Sequence, residues 1–193
     1  MNPQKRVFIV HGLGGSPQNC WFPWLKNELE GRGFFVAALA MPHPEIPMIE
    51  EWVPYIANAV GESDENTFFV GHSIGCSAIL RYIEGIESPV GGVVCVAGYL
   101  RMLSYESPEE ERIEKPWLET EINFETIKRN IGKIVAIFSD DDPEVDLGNK
   151  ALFEKNLSAR TILEHNKGHF SDDAGVVELP SVLEAVVEIA NEN

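Results

Sequence analysis

The chain has 193 residues, of which 44% are hydrophobic and 24% charged, the make-up of one globular domain that buries roughly 70% of the surface its unfolded form exposes. Fifteen Lys and Arg against 31 Asp and Glu leave a formal charge of −16, a field that repels phosphate backbones and anionic lipid and so argues against nucleic-acid or membrane-surface binding. The three cysteines, Cys20, Cys76 and Cys95, have no paired C-x-x-C spacing, so neither a disulfide framework nor a zinc site is expected, only buried structural thiols in a reducing cytosol.

The first apolar run, Val7-Phe8-Ile9-Val10, is too short for a signal-peptide core or a bilayer span, and a cytoplasmic protein is expected. It forms the predicted strand Arg6–Val10, followed by the glycine loop 11–15 and a helix over Phe22–Glu30. A strand at 34–39 leads into a rigid loop at 41–48 that holds Pro42, Pro44 and Pro47, then a helix over Ile49–Val60. A strand at 67–70, a helix over Ile74–Glu84 and a strand at 92–96 come next. The connection 99–123, which carries Glu109-Glu110-Glu111, is long enough to roof a site or to be a solvated excursion. Beyond it lie a helix over Phe124–Asn130, a strand at 134–138, a helix at 145–156, a strand at 160–163 and a helix at 181–190. In that last helix Val182, Ala185, Val186 and Ile189 form a core-facing stripe. Alternating apolar runs and amphipathic stretches predict an α/β domain whose mainly parallel sheet is covered by helices on both faces. No internal repeat or linker divides it, and one domain over 1–193 is expected.

The strongest chemical signal is Gly71-His72-Ser73-Ile74-Gly75 between a strand and a helix, the G-x-S-x-G elbow that presents a nucleophilic serine on a strained turn. The first amides of the following helix, with its dipole, suit a developing oxyanion. Serine needs a base. Of the five histidines, His169 lies in the loop between the last strand and the last helix, on the same carboxyl edge of a parallel sheet as the elbow, and completes the chain order Ser, acid, His. The acid comes from Asp140-Asp141-Asp142-Pro143 after the strand at 134–138. Pro143 restricts the backbone of Asp142 to an extended conformation, which favours Asp142, with Asp141 next. The aspartate cluster lacks EF-hand spacing, and the Gly12-Leu13-Gly14 start of a dinucleotide fingerprint fails at Pro17. His11-Gly12-Leu13-Gly14-Gly15 is placed to complete an oxyanion hole, with the Leu13 amide joining that of Ile74. For the four tryptophans core packing is the commoner fate. His11, Gly12, Trp21 and Trp117 are the candidates for a pocket wall.

These residues together resemble the small, capless serine hydrolases of the retinoblastoma-binding protein 9 and YdeN-like family, within the α/β-hydrolase superfamily. The marks run from end to end of the chain: the glycine loop, the elbow, Arg81-Tyr82, Pro116-Trp117, Asp141-Asp142-Pro143 and Gly168-His169-Phe170. The resemblance implies a Ser73, Asp142 and His169 triad, since the family's acid precedes the proline. It also implies six mainly parallel strands in the order 2-1-3-4-5-6 and hydrolysis of a small acyl substrate without metal or organic cofactor. No L-x-C-x-E motif occurs, so the partner implied for the mammalian member does not carry over. The competing expectations are a non-catalytic binding module on the same fold, using 99–123 as its docking surface, and an acyltransferase with the same triad.

Overall fold

The computed structural model describes residues 4–105 and 107–192, so Glu106, within the long connection, lies outside the described residues. Six strands form one sheet: β1 (Arg6–Val10), β2 (Phe35–Leu39), β3 (Thr67–His72), β4 (Val90–Val96), β5 (Ile131–Ser139) and β6 (Arg160–Glu164). Their order is β2-β1-β3-β4-β5-β6 and every pairing is parallel. The strands are apolar on both faces because both are covered. Phe8 and Val10 of β1 point into one core and Val7 and Ile9 into the other. The first core is closed by helices α2 (Ile49–Val60), α3 (Ile74–Glu84), α5 (Phe124–Asn130) and α6 (Gly148–Leu157). The second is closed by α1 (Phe22–Glu30) and α7 (Pro180–Asn191).

This order places a site before any side chain is considered. The chain leaves β1 for β2 on one side and then returns to β3 on the other, with α1 and α2 on opposite faces. The loops following β1 and β3 therefore diverge, and a crevice opens at the carboxyl ends of those two strands. The glycine loop and the elbow are those loops.

The connection 99–123 is not an unstructured excursion. It contains a helix, α4 (Pro108–Glu119), which sequence periodicity missed. Its start is conventional: Ser107 accepts a hydrogen bond from the Glu110 amide (3.1 Å), Pro108 opens the first turn, and Glu109, Glu110 and Glu111 complement the positive end of the helix dipole. At its other end Arg81 of α3 donates to the carbonyls of Trp117 (2.7 Å) and Thr120 (2.8 Å), which have no partner within the helix. The elbow helix thus holds the end of α4. Helix α6 begins at Gly148, three residues later than expected, because the Glu144 and Val145 amides are engaged by the Asp142 carboxylate. Among the described residues no helix is long and apolar enough to cross a membrane.

Candidate active site

Ser73 stands between β3 and α3 with φ +52° and ψ −128°, a strained conformation for a side-chain-bearing residue. Its amide donates to Val96 O of β4 (2.9 Å), which fixes the turn to the sheet. The turn can close only because the flanking residues are small. A Cβ on Gly75 would lie 2.5 Å from both Val10 O and His11 O at the end of β1, inside any tolerated contact. Gly75→Ala is therefore expected to lower stability by at least about 2 kcal/mol, read as a lower denaturant midpoint at unchanged slope. The glycine loop comes equally close: a Cβ on Gly12 would sit 3.1 Å from Ser73 Cβ.

The amides around the serine divide into two groups. Those of Gly14 and Gly15 donate to Pro44 O (2.8 Å) and Gly12 O (3.2 Å). Among the described residues those of Leu13 and Ile74 have no acceptor. Ile74 heads α3, where the first amides have no partner within the helix.

Opposite them stands His169, 7% exposed. Its Nδ1 faces both carboxylate oxygens of Asp142, at 3.0 and 3.1 Å, and the Asp142 side chain is only 3% exposed. Asp142 is itself held, because Oδ1 accepts from the amides of Glu144 (2.9 Å) and Val145 (3.0 Å). Its two neighbours grip the same loop without touching the imidazole. Asp140 accepts from the Asn166 amide (3.0 Å) and pairs with His165 (2.5 Å), and Asp141 accepts from the Gly168 amide (2.8 Å). Three consecutive aspartates thus bind three successive parts of the 165–169 segment.

His72 reinforces this placement, a role sequence reasoning did not assign. Its Nε2 donates to the backbone carbonyl of His169 (2.8 Å). Burial, with the neighbouring His169, pushes its pKa down to about 3, so the ring stays neutral. His11 is likewise buried and neutral, its Nδ1 donating to Gly12 O (2.8 Å) and its Nε2 accepting from the Met41 amide (3.2 Å).

His169 Nε2, the nitrogen turned away from Asp142, lies 3.4 Å from Glu144 Oε2. Among the described residues Ser73 Oγ makes no hydrogen bond, to His169 or to any other group. Burial lowers the His169 pKa, but the Asp142 hydrogen bond and charge, with the charges of Glu144 and Glu114, outweigh it and leave the pKa above the ordinary 6.5.

Ser73 and His169 line one cleft of about 410 Å³. His11, Gly12 and Leu13 form part of its wall, as expected for the glycine loop. The two tryptophans expected there do not. Trp21 is wholly buried, packed on Phe22 (centroids 4.6 Å) and edge-on to His72 (6.2 Å). Trp117 packs edge-on against Trp52 (6.1 Å), with its indole N–H donating to Pro47 O (3.1 Å). Rings of that size bury most area in the cores on either side of the sheet, and both are taken up there. The cleft wall is instead acidic: Glu110, Glu114, Glu144, Asp172 and Asp173 line it, and no lysine or arginine does so among the described residues. Cys20 also borders the cleft, but burial and the Asp172 charge push its thiol up to about 11, so it is no competing nucleophile. A larger cavity of about 550 Å³ opens at the opposite edge of the sheet, around Ile131 and Arg160 at the starts of β5 and β6, and holds no serine–histidine pair.

The comparisons with known proteins bear on the family and the fold. The family model for serine hydrolases matches residues 7–188. The chain is 30% identical over 184 residues to YdeN of Bacillus subtilis (strain 168), covering 94% of each chain. It is also 30% identical over 175 residues to the serine hydrolase RBBP9 of Rattus norvegicus, covering 89% of each. The crystal structure of the B. subtilis ydeN gene product superposes with a TM-score of 0.88 at 29% identity, over 96% of this chain and 98% of that one.

Proposed function

The chain belongs to the serine hydrolase family, with a capless α/β-hydrolase fold, and we propose that it cleaves small carboxylic esters, or related thioesters and amides, through an acyl-enzyme on Ser73. The observation that carries this reading is one shared cleft. A serine on a strained elbow and a histidine fixed by a buried carboxylate both face it.

In this mechanism Ser73 Oγ attacks the acyl carbonyl and His169 Nε2 removes its proton. Asp142 keeps the other proton on Nδ1 and stabilises the imidazolium as it forms. The unengaged amides of Leu13 and Ile74 receive the oxyanion, where fixed donors at a helix start are most effective. Collapse expels the leaving group, protonated by His169, and water then repeats the sequence to release the acid. The first step requires Nε2 to turn from Glu144 to Ser73, a hydrogen bond of the kind that tightens when substrate fills the site. The cleft volume suits a small acyl group better than an extended peptide. Three free cysteines, Cys76 and Cys95 among them buried, support a cytosolic setting. A fluorophosphonate probe tests the reading directly: it labels the wild-type protein at Ser73, and failure to label would refute it.

The position of Glu144 has a consequence for pH dependence. Hydrolysis needs neutral His169, whose pKa is raised, so the acid limb of kcat/KM is expected above pH 6.5. A carboxylate beside Nε2 stabilises the protonated ring. Glu144→Gln removes that charge, lowers the histidine pKa and moves the limb to lower pH. A limb that stays in place or rises would show that Glu144 does not reach the imidazole.

A further inference from the structure

Glu114 lies on α4, four residues after Glu110, so the two carboxyls share one face of the helix, and both line the cleft that holds Ser73 and His169. The residue is 4% exposed, and among the described residues Oε2 has no hydrogen-bond partner. The neighbouring Tyr99 hydroxyl is also fully buried and lies close enough to the Glu114 carboxyl to lower its pKa, but among the described residues the two close no hydrogen bond of normal geometry. A buried carboxyl without a donor is costly in any fold. Among the described residues no lysine or arginine lines the cleft to relieve it, and Glu110 and Glu144 add further negative charge. Burial and the Glu110 charge push the Glu114 carboxyl up to about 7, against the opposing pull of Tyr99 and His169.

We propose that Glu114, flanked by Glu110 and Glu144, forms a subsite of the cleft that receives the protonated primary or secondary amine of the substrate. The inference rests on the reading of Ser73 as nucleophile and names the class of acyl substrate that nucleophile takes. Three observations select this ligand. The acidic wall repels substrates that carry carboxylate or phosphate. Among the described residues no group of three or more His, Cys, Asp and Glu is arranged to hold a metal ion, so no metal site competes for these carboxyls. The ionised Glu114 carboxyl can only accept, and an ammonium brings it a charged N–H donor that a quaternary nitrogen lacks. Asp172, on the other side of the cleft, is already engaged by Asn19 (3.0 Å) and the Cys20 amide (2.8 Å), so it is not the acceptor.

The test uses methyl esters of ω-amino acids with acyl chains of two to six carbons. Each is compared with the alkanoate ester in which methyl replaces the ammonium and with the trimethylammonium analogue, and hydrolysis is followed by acid release. For at least one chain length the ammonium ester is expected to exceed its methyl counterpart in kcat/KM by about tenfold or more. The trimethylammonium analogue should lose most of that advantage, and Glu114→Gln, with unchanged circular dichroism, should bring the ratio down towards one. Ratios at or below one at every length, or a ratio unmoved by Glu114→Gln, would overturn the subsite. If Glu114→Gln does not fold, the wild-type protein decides. Hexylammonium must inhibit hydrolysis of a neutral ester at least about tenfold better than hexanol, and equal inhibition overturns the proposal. A protein that fluorophosphonate labels and that cleaves neutral esters, yet ignores amine charge, refutes only the subsite. One that neither labels nor turns over any ester refutes the nucleophile and the subsite together.

Discussion

Replacing Ser73 with alanine is expected to reduce ester hydrolysis by at least about 10³-fold and to abolish fluorophosphonate labelling, with the fold intact. The structure explains why activity and stability separate at this position. Among the described residues Ser73 Oγ makes no hydrogen bond, so its removal leaves none of them as a buried group without a partner. The strained φ of +52° is imposed by the backbone and by the amide bond to Val96, both of which alanine keeps. Circular dichroism and Tm should therefore stay close to wild type while turnover disappears. Hydrolysis near the wild-type rate would make Ser73 a structural residue of the turn and remove the basis of the proposed mechanism.

Asp142→Asn is expected to cost several orders of magnitude, about 10⁴-fold by analogy with the same change in a serine-protease triad. Here the effect can be traced atom by atom. The asparagine oxygen would keep the two amide bonds from Glu144 and Val145 now made by Oδ1, which turns the new NH₂ group towards His169 Nδ1. A donor at that position forces Nδ1 to accept and leaves the proton on Nε2, which then cannot take one from serine. Asp140→Asn and Asp141→Asn should cost far less. Apart from the exposed Asp140–His165 pair and the Ser139 hydroxyl that donates to Asp141, their contacts are to the amides of Asn166 and Gly168, which an asparagine oxygen can still accept, and neither touches the His169 ring. A crippling Asp141→Asn with a mild Asp142→Asn would move the proposed acid by one position.

The sheet could be read from the sequence because each of its strands is an apolar run set off by turn residues, a pattern that survives without knowledge of tertiary contacts. Errors fell at the ends. β3 runs on to His72 and β5 begins at Ile131, since pairing with a neighbour extends a strand through residues such as Gly132 and Lys133 that carry no apolar signal. Helix α4 was hidden by its acidic start and by Pro116, although Ser107-Pro108 followed by three glutamates is a helix-start signature. The elbow stands out in sequence because its glycines occupy fixed offsets demanded by close backbone approach. The aspartate was narrowed by Pro143, but the groups that hold its carboxylate are the amides beyond the proline, which only the folded turn reveals. Glu114 carried no signal at all. Its burial depends on where α4 docks, and that docking depends on Arg81 in another helix.

The strand order also governs how this protein comes into being. The loops that meet at the cleft follow β1, β3, β5 and β6, so their residues arrive from the start, the middle and the end of the chain. Each parallel pairing must close a long intervening loop before any contact is gained, which makes such sheets slow to assemble. Strand β1, second from one edge of the sheet, is made first, yet it stays without its inner neighbour until β3 has been added. His169 cannot reach Ser73 until β6 is seated at the far edge. Recovery of turnover during refolding should thus be the last signal to return, after secondary structure and burial of the tryptophans. No form of this chain that ends before His169 can hold the cleft as described.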